Sequence, residues 1–178
     1  GCDVNLAMVN GWTPAYLAAQ KGQTAALEIL VEAGCDVNQP DEDGMTPAYI
    51  AACEGHTAAL EILVKAPGCN INQPDEHGRT PAYVAAQMGH TAALELLVKA
   101  GCDVNKAEKN GKAPAFVAAN KGHTAALEIL VKAGCDVNQA TKHGSTPASI
   151  AAQEGHTAAL ELLVKAPSCD VNQAKSDG

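Results

Sequence analysis

Residues 34–66 read GCDVNQPDEDGMTPAYIAACEGHTAALEILVKA, and residues 101–133 read GCDVNKAEKNGKAPAFVAANKGHTAALEILVKA. The opening phrase G-C-D-V-N, or a near variant, returns along the whole chain. Cys2, Cys35, Cys69, Cys102, Cys135 and Cys169 follow one another at 33 or 34 residues, and only Cys53 lies off this column. Self-similarity at such a period marks a repeat architecture, one supersecondary unit copied and stacked. Cut at that phrase, the chain gives units 1–33, 34–67, 68–100, 101–133 and 134–167 and a partial unit 168–178, in a single domain 1–178 without linkers.

Two helices are expected in each unit. The first starts at Thr13-Pro14, Thr46-Pro47, Thr80-Pro81 and Thr146-Pro147, where Thr caps free amides and Pro fits the first helical position. The fourth unit has Ala113-Pro114 and lacks the cap. This helix is barely two turns long and stops at Gly22, Gly55, Gly89, Gly122 and Gly155, residues suited to the left-handed C-terminal position. The second helix lies in T-A-A-L-E-[IL]-L-V-[KE]-A; Leu60, Leu63 and Val64 place apolar residues at i, i+3 and i+4. Lys65, Lys99, Lys132 and Lys165 suit its negative end. Between units, pairs such as Asn10-Gly11, Asp43-Gly44 and Asn110-Gly111 predict a turn or hairpin finger. Extra Pro67 and Pro167 read as helix stops.

Such short helices are marginal alone, so the units must stack, each burying its face against the next. Composition agrees. Hydrophobic residues make up 47% of 178 residues, yet there are one Trp, three Tyr and one Phe against 35 Ala. The core is expected to be thin and repeated, with the Ala pairs 18–19, 51–52, 85–86, 118–119 and 151–152 letting neighbouring helices approach closely.

These phrases carry a resemblance. G-x-D-V-N, D-x-x-G-x-T-P, A-A-x-x-G-H and L-V-K-A-G, recurring in register over the five units and the partial sixth, resemble ankyrin repeats. The resemblance implies an all-α solenoid of stacked helix–turn–helix units with β-hairpin fingers along one edge, acting as a protein–protein interaction module. Where the family usually reads T-P-L-H, this chain has T-P-A-Y, A-P-A-F or T-P-A-S. Tyr16, Tyr49, Tyr83 and Phe116 are therefore expected to form an aromatic column packed between units with the hydroxyls hydrogen-bonded; a ligand-facing ladder is the alternative.

No catalytic residue, cofactor or metal is expected. G-x-S-x-G, P-loop, H-E-x-x-H, C-x-x-C and G-x-G-x-x-G phrases do not occur. His56, His90, His123 and His156 recur one unit apart and form a ladder, where a metal needs converging ligands. A net charge of -8 argues against nucleic acid, and the apolar runs fall short of the ~20 residues that span a bilayer. No charged-then-apolar leader opens the sequence, so a soluble monomer is expected. Elements packed 8 to 10 Å apart on the general rule are too distant for a disulfide between column cysteines. Reduced thiols filling a small slot fit a cytoplasmic compartment, with Cys53 the one thiol expected to be exposed.

Positions that differ between units are the candidate binding surface, since the resemblance implies that finger and first-helix positions line a concave face. From the fingers these are Val9, Asn10 and Trp12; Glu42, Asp43 and Met45; His77 and Arg79; Lys109, Asn110 and Lys112; His143 and Ser145. Lys21, Glu54, Met88 and Lys121 add the ends of the first helices. Trp12, Met45 and Met88 are the expected anchors. Charge is uneven: 34–67 holds six acids and one Lys, 101–133 three acids and five Lys, a gradient that would orient a partner of mixed polarity. Two further readings stand beside this one. The array resembles a spacer or scaffold fragment, or an engineered repeat array. Its D-V-N asparagines, with Leu30, Leu97 and Leu130 eight residues before Asn38, Asn105 and Asn138, resemble those modified by asparaginyl hydroxylases; the alternative is a turn Asn bonding local backbone.

Overall fold

The computed structural model describes residues 3–170. Cys2 and residues 171–178 of the partial unit lie outside them. Ten helices follow one another in pairs among the described residues: α1 (Pro14–Gln20) with α2 (Thr24–Glu32), α3 (Pro47–Glu54) with α4 (Thr57–Lys65), α5 (Pro81–Met88) with α6 (Thr91–Lys99), α7 (Pro114–Lys121) with α8 (Thr124–Lys132), and α9 (Pro147–Gln153) with α10 (Thr157–Val164). The first helices pack on one another in sequence, and so do the second helices, giving two parallel layers.

The caps form where the sequence places them. Thr13, Thr46, Thr80 and Thr146 accept from the amides of Tyr16, Tyr49, Tyr83 and Ser149 at 3.1 to 3.2 Å, and Ala113 leaves α7 without a side-chain cap. The Ala pairs are closed off from water, Ala152 of the last pair excepted. Leu60, Leu63, Leu94, Leu97, Leu127 and Leu130 are fully buried, so the core is a row of Leu and Ala columns shared between neighbouring units. At Pro67 the helix stops as expected: Ala66 turns extended, and Cys69 donates to the Ala66 carbonyl.

Three expectations change. No strand is present among the described residues. Each finger is closed by a backbone pair such as Asp41 N–H to Met45 O and Gly44 N–H to Asp41 O, which makes a turn but leaves no ladder to extend. Neighbouring fingers are nevertheless linked, each by a single bond: Glu42 N–H to Asn10 O, Glu76 N–H to Asp43 O, Lys109 N–H to His77 O and Lys142 N–H to Asn110 O. Gly44 is required twice here: its φ is +81°, and a Cβ would come within 2.9 Å of the Glu76 amide nitrogen in the next finger.

The second change concerns the D-V-N asparagines. Asn38 Oδ1 accepts from the Asn70 amide at 2.7 Å, and its Nδ2 donates to Gly68 O at 2.8 Å. Asn5, Asn72, Asn105 and Asn138 likewise accept from Asp36, Asp103, Asp136 and Asp170. Their side-chain bonds reach the backbone of the next unit, whereas local backbone was the alternative expected for a turn Asn. Finally, Cys53 is half-buried against the core. Burial first, and the neighbouring Glu54 charge second, raise its thiol pKa.

Candidate binding surface

The fingers are built around a side chain that the unit-to-unit comparison did not single out. Asp41, Asp75, Glu108 and Thr141 hold one position in successive fingers, and all four are buried. Asp75 shows why. Its Oδ1 accepts from the amides of His77 at 2.9 Å and Arg79 at 2.8 Å. Its Oδ2 accepts from Arg79 Nε at 2.6 Å and from the Tyr49 hydroxyl at 3.0 Å, with Arg79 Nη2 also at 2.6 Å. The carboxylate thus shapes its own finger and fastens it to the preceding unit. Asp41 holds the amides of Asp43 and Met45 in the same way. The signal was present as the D of D-x-x-G-x-T-P, hidden by the exposed acids beside it.

The aromatic column packs inside, as expected. Tyr16, Tyr49, Tyr83 and Phe116 are all buried, so a ligand-facing ladder is not what they form. Burial, with the charge of Asp41 and Asp75 adding to it, lifts the phenols of Tyr16 and Tyr49 far above the usual range. Burial and then Glu108 lift Tyr83 to about 12. Where the ring loses its hydroxyl, at Phe116, the partner position holds Thr141 in place of an acid.

The histidine column is structural. His56 and His90 donate from Nε2 to the carbonyls of Gln20 and Cys53, each at 3.1 Å, and a carbonyl can only accept, which fixes that tautomer. No group of three or more potential metal ligands converges among the described residues.

The predicted surface residues divide into two sets. Val9, Lys21, Glu42, Asp43, Glu54, His77, Met88, Lys109, Asn110, Lys112, Lys121 and His143 are exposed, with Val9 at 99% and Met88 at 51%. Asn10, Trp12, Met45, Arg79 and Ser145 are partly buried. Trp12 stacks on Tyr16 with centroids 5.7 Å apart, Met45 packs against the core, and Arg79 is held by Asp75. The layer of second helices, here the outer layer, differs. Lys65, Lys99, Lys132 and Lys165 pair along their helices with Glu61, Glu95, Glu128 and Glu161. A groove of about 570 Å³ between α2 and α4 is rimmed by Glu28, Glu61 and Lys65 around Val31 and Ile62, with no set of polar groups converging in it. No described helix is long and apolar enough to cross a membrane.

Two layers of short helices, held by side-chain columns at a fixed period and carrying a row of turns on one edge, define a stacked helix–turn–helix repeat protein. A family model described as ankyrin repeats (3 copies) matches residues 1–75, 35–108 and 84–175. The chain therefore belongs to the ankyrin-repeat family. No curated protein matches it.

Proposed function

We propose that this chain is a non-catalytic module that binds a partner protein on its fingers and first-helix ends. Ankyrin repeats are in general protein–protein interaction modules, and one observation favours this face. At the unit junctions the recurring Thr, Ala and Leu side chains are buried, and the recurring asparagines and histidines bond a neighbouring unit. Most side chains that change from unit to unit stand exposed on the fingertips and first-helix ends, and backbone bonds hold the fingers in a row. A frame kept constant while its displayed residues vary is suited to recognition, because little ordering remains to be done on binding. Five units and a partial sixth acting as one domain, with reduced thiols in a cytoplasmic setting, complete the reading. The described cysteines are all free.

Site-specific photo-cross-linking tests the face. Photoreactive residues placed at Asp43 or Lys112 are expected to capture the partner in cell extract, and those placed at Glu61 or Glu128 on the outer layer are not. Capture from the outer positions alone would refute the assignment.

A further inference from the structure

We infer that the row of fingertips recognises a partner segment whose own charge is segregated, with a basic block lying over the second and third fingers and an acidic block over the fourth and fifth. This rests on the face proposed above and specifies its occupant. The inference comes from separating charges engaged within the fold from those that are displayed. Asp41, Asp75 and Glu108 are buried and organise their fingers. Arg79 is neutralised by Asp75. The lysines of the outer helices pair with glutamates one turn away. What remains on the tips is polarised: Glu42, Asp43 and Glu76 on one side, Lys109, Lys112 and Lys142 on the other, all exposed. Among the described residues, Glu76 has only the neighbouring His77 ring, 3.5 Å away, and the three lysines make no ion pair.

The first-helix ends show no such order. They read Lys21, Glu54, Met88, Lys121 and Glu154, with both signs in each half and Met88 uncharged between them, so the polarity belongs to the fingers. The finger row is also fixed in spacing by the tip-to-tip bonds from Glu76 to Asp43, Lys109 to His77 and Lys142 to Asn110. With packed elements 8 to 10 Å apart, four fingers span about 30 Å, the length of about nine extended residues. That span exceeds the screening length of about 8 Å at physiological salt, so each end selects its own charge. A uniformly acidic chain would gain at the lysines and be repelled at Glu42 and Asp43, which disfavours a polyanion.

The test uses the full chain, isotope-labelled, and two synthetic peptides of about ten residues with the same composition. One joins a lysine block to a glutamate block through Gly-Ser; the other alternates lysine and glutamate. At about 50 mM salt the block peptide should bind at least about tenfold more tightly. It should shift the amide resonances of Asp43 and Lys112 together and lose this advantage near 500 mM. The variant K109E/K112E, with an unchanged spectrum elsewhere, should abolish the preference. Equal binding of the two peptides at the fingers overturns the segregated partner and leaves the face intact, whereas preferential binding that shifts only the outer helices overturns the face itself. Low-salt dimerisation of the protein alone, lost in K109E/K112E, would assign the strip to a second copy and overturn the proposal.

Discussion

Asp41, Glu42 and Asp43 are three acids in succession, and the fold puts them to different uses. The first is buried and hydrogen-bonded to the amides of Asp43 and Met45, while the other two face solvent. At Asp75 the same position adds a cation and a phenol. Removing it leaves Arg79 and two amides without their acceptor. Asp75→Ala is expected to destabilise the array by about 3 kcal/mol or more, and Tyr49→Phe by about 1 kcal/mol. A double-mutant cycle of Tyr49→Phe with Asp75→Asn, read by urea unfolding, should give a coupling near 1 kcal/mol; strict additivity would mean that the hydroxyl acts independently of the Asp75 carboxylate. Asn38→Ala, which removes two bonds to the following unit, should cost about 1 to 2 kcal/mol and speed amide exchange at Asn70. The Thr caps, Ala pairs and His column were legible because their chemistry admits one place. The buried acid was not, since a carboxylate among carboxylates reads as surface until its partners, one unit away, are seen.

At the scale of the element, α7 is a natural comparison. It starts on Ala113 with the same extended backbone as the capped helices, in a position where four other units accommodate a buried Thr. Ala113→Thr should therefore raise stability by about 0.5 to 2 kcal/mol, measured as a higher urea midpoint. Gly55 sets the opposite case: its φ is +73°, and a Cβ would lie 2.8 Å from His90 Nδ1. Gly55→Ala should lower stability, with exchange accelerating first in α6, whose N-cap residue His90 is displaced. Helix positions were legible from Thr-Pro and Gly at fixed offsets. No strand forms, because Asn-Gly signals fix a turn, and a ladder needs more than the one flanking pair made here, as by Asp41 and Met45; the segment before it is held by Asn clasps from the preceding unit.

The whole molecule repeats its buried thiols and phenols along its length, and that makes alkaline stability a collective property. Burial raises Cys69, Cys102 and Cys135 from 9.0 to about 11, with Asp103 and Asp136 adding to the latter two. The folded chain thus keeps protons that the unfolded chain releases. Their contribution is whole below pH 9 and is lost as pH rises toward about 11; the tyrosines extend the loss above pH 10. The urea midpoint should fall between about pH 8 and about pH 10.5, and fall less steeply in the triple variant Cys69→Ala, Cys102→Ala, Cys135→Ala. An equal slope would show that these thiols do not carry the effect. The architecture was legible from the period alone, but which junction holds what was not, since the contacts join residues about thirty positions apart.

Those junctions also spell an order. Tyr49 meets Asp75 at 3.0 Å, Tyr16 lies in the field of Asp41, and Phe116 is followed by Thr141. Units that look interchangeable in sequence therefore carry matched edges. Excising residues 101–133 would set Tyr83 against Thr141, and transplanting the fourth unit ahead of the third would set Phe116 against Asp75, a buried carboxylate with no phenol to meet it. Any lineage of duplication, shuffling or recombination that built or rebuilds this array must move a ring and its partner as a pair, although they belong to different units.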